Sequence, residues 1–224
     1  MSFAPFIDDL TLVLDLLILV AVAVFYTAFC VWVEVRRKDS ARAISHLQSG
    51  AGLLTLLGIG IGIVAVWGEL TWPIPPAFGG YDLFFFDPLF MLALILIGFG
   101  FLVYRGLPTH FAGILAAVSG AGIVYYGARG YLIPLTLDPL ETFLMYLAFG
   151  AVGLLAFPAT LYVDWFVVGP TKESASPLPS GATPDYPWLW RILVGLFLLA
   201  VIGAGVASIL YGFTAAWAHL ASPP

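Results

Sequence analysis

Six long apolar runs with short polar joints between them leave this chain few folds to choose from. They lie near Leu10–Val33, Ala43–Trp67, Pro88–Tyr104, Phe111–Tyr126, Pro139–Val167 and Trp188–Trp217. A helix crosses a hydrocarbon core of ~30 Å with about 17–25 residues, and each run is near that length. The runs are continuous, without the alternation of an outer-membrane barrel strand, so they predict helices. Composition agrees: 62% of the 224 residues are hydrophobic and 9% are charged, too few charges to coat a soluble surface. The expected fold is an all-α polytopic transmembrane bundle of about six spans, with the lipid bilayer as its first partner.

The cations set an orientation. Arg36, Arg37, Lys38, Arg42, Arg105, Lys172 and Arg191, seven of the eight, fall in or beside loops one, three and five. The positive-inside bias makes those loops cytoplasmic and puts both termini outside a plasma membrane. The acidic start of the chain carries no positive n-region, so the first run is read as a retained span. A net charge of −5 gives no nucleic-acid footprint. The single cysteine, Cys30, excludes an internal disulfide or a Cys-based metal cluster and reads as a small buried hydrophobe.

Residues 169–187 are rich in Pro, Ser and Gly and read as a flexible cytoplasmic linker. The chain thus divides into a five-span core (1–168), the linker, and a sixth helix with a tail (188–224), which could pack outside the others. Two hairpins suggest a repeat. Gly62-Ile63-Val64 and Gly122-Ile123-Val124 lead to span exits, and Asp87-Pro88-Leu89 and Asp138-Pro139-Leu140 then open the following spans. Both hairpins would have the same orientation, making the repeat parallel. Asp before Pro suits a helix start: the carboxylate caps first-turn amides and proline presets φ, with Glu141 at capping-box distance from Asp138. Small residues four apart (Gly58 and Gly62, Ala117 and Ala121, Ala204, Ser208 and Gly212) predict close packing of spans two, four and six. Pro158 is expected to kink span five.

Thr71-Trp72-Pro73-Ile74-Pro75, followed by Tyr81-Asp82 and Asp87-Pro88, resembles a family of multi-span membrane proteins, mainly archaeal, catalogued as a domain of unknown function. The resemblance covers Thr71–Phe90 and implies a helical membrane fold. It brings no reaction, so no catalytic residue follows from it.

Ionisable groups within or beside spans are the natural candidates for function. Asp15 lies about one turn into span one, with Thr11 and Asp8 on its face. Asp15, Glu69, Asp87, Arg129, Asp138 and Glu141 form a candidate polar site at the outer end, which is acidic throughout. That rim is either ordinary solvated surface or an electrostatic funnel for cations. Arg129, the lone outer cation, is expected to pair with Glu69, Asp87 or Asp138. Glu34 with Arg37 and Lys38 reads as a helix-end ion pair, and Asp164 as a partner of Arg105 or Arg191. His46 and His110 start spans two and four at similar depth and are weak candidates for axial haem ligands; His219 has no evident role. No nucleotide loop, zinc-protease helix or haem-attachment motif occurs, no metal site is expected, and no cofactor is predicted. Trp67, Trp72, Trp188, Trp190, Trp217, Tyr125, Tyr126 and Tyr131 at span ends read as interfacial belts.

Short loops and the lack of a catalytic constellation point to a non-catalytic subunit or scaffold of a larger membrane assembly, for example a respiratory one, partnered by other subunits or by its own copies. The alternative is a small carrier or channel for a cation or solute, distinguished by whether the outer carboxylates and Asp15 converge on a cavity between spans. A membrane enzyme or haem-binding subunit ranks third.

Overall fold

The computed structural model describes residues 9–71, 81–136, 138–168 and 188–221. They form six helices: α1 (Asp9–Arg36), α2 (Ser40–Thr71), α3 (Tyr81–Tyr104), α4 (His110–Leu132), α5 (Pro139–Val163) and α6 (Trp188–Ala221). A π-helical turn, Asp164–Val168, extends α5. All six are long and apolar enough to cross a membrane, and no strand occurs among the described residues. Only 22 to 33% of each span is buried within the protein, so the remaining apolar surface has to face lipid.

Each helix packs on the next in chain order, and α6 packs on α1, so the six close into a ring. The α2–α3 and α4–α5 hairpins share the broadest interfaces, and the α3–α4 seam is the thinnest. The ring corrects one expectation: α6 is not an outside appendage but sits between α5 and α1. The linker read at 169–187 lies outside the described residues.

The end carrying most cations, called here the basic end, is built from two like turns. Lys38 and Gly106 both take left-handed φ, 61° and 60°. Behind each, two amides reach back to the last helical carbonyls: Lys38 and Asp39 to Val35 and Glu34, Gly106 and Leu107 to Val103 and Leu102. Asp39 then accepts from the Arg42 amide at 3.0 Å and caps α2.

Close packing follows the small residues, with one change of register. Gly58 and Gly62 face Ala93 on α3, and Gly205 and Gly212 face Ala21 and Leu14 on α1, as expected for spans two and six. On α4 the packing residues are not Ala117 and Ala121 but Gly113, Gly120 and Gly127, seven apart and all buried against α5. The two hairpins share a feature near the exit of their first helix, where Gly68 lies under the Phe86 ring and Gly127 under Tyr146.

The Asp-Pro pairs are not alike. Asp138 stands at the N-cap position of α5 with Pro139 in its first turn, although its carboxylate makes no capping bond. Helix α3 begins at Tyr81, so Asp87 and Pro88 lie inside it and Asp87 is not a cap. The aromatic run Leu83–Phe86 is as apolar as the rest of the span and carries the helix past the proline.

Candidate functional site: a cavity inside the helix ring

A ring of six helices leaves an interior, and here it holds a cavity of about 670 Å³ with walls from every helix. Along α1 the lining runs Val13, Leu17, Val20, Val24, Thr27 and Val31, a face repeating every three or four residues. Those eighteen residues of rise correspond to ~27 Å, close to the depth of a bilayer's hydrocarbon core. The other walls include Leu89, Leu92 and Phe99 on α3, Ala112, Ala116 and Ile123 on α4, Met145, Phe149 and Val152 on α5, and Phe197 and Val201 on α6. Polar groups are sparse along its length, among them Thr27, Ser119 and Thr160.

The cavity becomes polar at its acidic end, where Thr136, Asp138, Glu141, Thr142, Tyr211 and Thr214 line it. Two of the six candidate polar residues therefore reach the cavity, and both carboxylates are exposed. Thr142 is buried and bonds the Thr136 hydroxyl at 2.9 Å. Asp87 and Glu69 belong to a second group at the same end. The Tyr126 hydroxyl donates to Asp87 at 3.0 Å across the thin α3–α4 seam, with Glu69 nearby. Asp15 is exposed on the outer flank of α1, facing Gly212 of α6, and does not line the cavity.

Arg129 corrects the expectation placed on it. It is exposed, and no ion pair joins it to Glu69, Asp87 or Asp138. At the last turn of α4 its side chain has the helix carbonyl end beside it and solvent or headgroups to reach, a favourable place for a single cation.

The basic end carries a constellation of another kind. Helix α4 has no acid in its first turn, and Thr109 makes no capping bond to its own helix. Asp164, at the start of the π-helical turn, supplies the cap from the neighbouring helix. Its carboxylate accepts from the Thr109 amide (2.7 Å), the Thr109 hydroxyl (2.9 Å) and the His110 amide (2.9 Å), and meets His110 Nδ1 at 2.7 Å. Asp164 thus pairs with α4's N-terminus and not with Arg105 or Arg191. The sequence held one signal for this: a helix start with no acid of its own needs one from elsewhere. With Nδ1 engaged in this way, His110 serves a helix cap. His46 stands half-buried on α2, and neither it nor His110 lines the cavity. Among the described residues, no three His, Cys, Asp or Glu side chains converge as a metal site would require.

Glu34 and Arg37 form the expected helix-end pair, at 3.2 Å. The burial of Glu34, with 7% of its surface exposed, was not legible in the sequence.

No curated protein matches the chain. No solved structure matches it either. Residues 1–222 match the model of a family described as "Protein of unknown function (DUF981)", so the chain belongs to that family across nearly all its length and not only at Thr71–Phe90.

Proposed function

We propose that this DUF981 protein is a multi-pass membrane protein that binds an apolar molecule inside its helix ring, in the manner of a small carrier. The observation that carries this reading is the cavity itself. Its volume falls in the ~300–1,000 Å³ range of small-molecule sites, and all six helices wall it. It is a poor path for an ion, because Asp15 lies off it and its middle offers few polar groups to replace a hydration shell. The cavity favours a bound molecule over the scaffold role that the short loops suggest. Partnership with other subunits or further copies would use the apolar outer flanks, and co-purification from native membranes in mild detergent tests it.

The clustering of cations at one end supports a topology with that end in the cytoplasm and both termini outside the plasma membrane. The test of function is binding. The purified protein in lipid nanodiscs should take up a fluorescent long-chain alkyl probe beyond the level of protein-free nanodiscs. Ala116→Trp and Val201→Trp, which fill the cavity from two different helices, should each weaken that uptake at least tenfold while the protein stays monodisperse. No uptake by the native protein, or equal uptake by both filled variants, overturns the reading.

A further inference from the structure

The cavity-lining face of α1 does not stop at Val31. The positions Val13, Leu17, Val20, Val24, Thr27 and Val31 step by four and three residues, and the next step is Glu34. Glu34 therefore lies on the same inward face of α1 at the basic end, one turn beyond Val31, the last α1 residue that lines the cavity. Glu34 is more than nine-tenths buried. One oxygen, Oε1, meets Arg37, whose side chain is 66% exposed. The other, Oε2, is buried and has no hydrogen-bond partner among the described residues. A buried carboxylate oxygen left without a donor is costly, and such groups inside membrane proteins face the protein interior and mark sites.

We infer that the cavity takes a long-chain lipid alcohol, whose hydroxyl donates to Glu34 Oε2 while its chain runs along the apolar walls. The inference rests on the reading of the cavity as a binding site. The ligand class follows from charge and length. Glu34 is already balanced by Arg37, so a neutral donor completes its hydrogen bonding without bringing a second charge into an apolar space. A fatty acid would set its carboxylate against Glu34, and an amine would leave a net positive charge in the cavity. The walls extend ~27 Å along α1, a length that a short solute would not fill.

The test is displacement of the fluorescent alkyl probe from the protein in nanodiscs by hexadecanol, hexadecane, hexadecylamine and palmitate. The native protein should prefer hexadecanol to hexadecane by about tenfold, the effect of one hydrogen bond to a charged group, and to the other two by at least as much. Glu34→Leu should abolish the preference for alcohol over alkane and leave displacement by hexadecane unchanged. Glu34→Gln, which keeps an acceptor and the shape, should retain part of it. Equal displacement by alcohol and alkane, a stronger effect of the amine, or an unchanged preference in Glu34→Leu overturns the inference alone. Failure of every chain to displace the probe, or no uptake of the probe, removes the cavity reading and this inference with it.

Discussion

The Tyr146 hydroxyl donates to the Phe84 carbonyl at 2.5 Å, from α5 to α3. That carbonyl is the one Pro88 leaves without its helical donor, because residue i bonds the carbonyl of residue i−4 and proline has no N–H. The two rings also stack, with centroids 4.4 Å apart. A proline inside a membrane helix is tolerated when a neighbouring helix satisfies the freed acceptor, and here the neighbour is not even adjacent in the ring. Tyr146→Phe keeps the stack and removes the donor, so it should cost ~1–3 kcal/mol. In a Pro88→Ala background the same change should cost clearly less, since the helix amide returns to Phe84. Thermal unfolding of the four variants in one detergent gives the cycle, and equal costs in both backgrounds would disprove the compensation.

The α4–α5 crossing depends on hydrogen in place of methyl. A Cβ on Gly120 would stand 2.7 Å from the Gly150 carbonyl oxygen and 2.8 Å from the Leu154 nitrogen, and one on Gly153 would stand 2.6 Å from the Ala116 carbonyl oxygen. These neighbours are backbone and cannot rotate away. Gly120→Ala and Gly153→Ala should each destabilise the protein by ~1–3 kcal/mol by forcing the helices apart. Gly122→Ala has nothing within 4 Å of the added methyl. It should be neutral or stabilising by up to ~1 kcal/mol, because alanine costs less helix entropy. Melting temperatures of the three variants separate packing from propensity.

Asp15 and Arg129 drew attention as ionisable groups near lipid, yet both are exposed and off the cavity. Asp15→Asn and Arg129→Gln should each change stability by no more than ~0.5 kcal/mol. Neither should alter uptake of an alkyl probe by more than twofold. A large loss of binding in Asp15→Asn would put function on the outer flank of α1 instead.

What could be read from sequence was what hydropathy and charge encode directly. The six spans, the clustering of cations at one end and the Gly58–Gly62 and Ala204–Ser208–Gly212 packing faces all depend on residue type and spacing along one helix. Asp87-Pro88 carries the local signature of a helix start, yet α3 begins seven residues before Pro88, because the donor that makes an internal proline tolerable comes from Tyr146, more than fifty residues later. Asp164 was assigned a cation by charge and instead meets amides, a pairing that only the fold brings together. The cavity was invisible for a similar reason. An apolar residue facing lipid and one facing an apolar interior look the same in a sequence, and only ring closure through α6 tells them apart.

The cap that Asp164 places on α4 makes the sharpest of these predictions. Its side chain is 11% exposed and that of His110 30%, so the contact is not a solvent-screened surface pair. Asp164→Ala would leave the Thr109 amide, the Thr109 hydroxyl and the His110 amide without this acceptor, at the end of a helix whose first turn has no acid of its own. The expected loss is about 2 kcal/mol or more, above the ~0.5–2 kcal/mol of a single capping bond. Asp164→Asn keeps one acceptor and should lose roughly half as much. His110→Ala removes only the ring contact and leaves the amide bonds in place, so it should be the mildest of the three. Hydrogen exchange locates the effect: residues 109–113 should lose protection in Asp164→Ala, while the α1–α2 turn capped by Asp39 keeps its own. Loss of protection spread evenly over all six helices would show that Asp164 supports the bundle by some means other than capping α4.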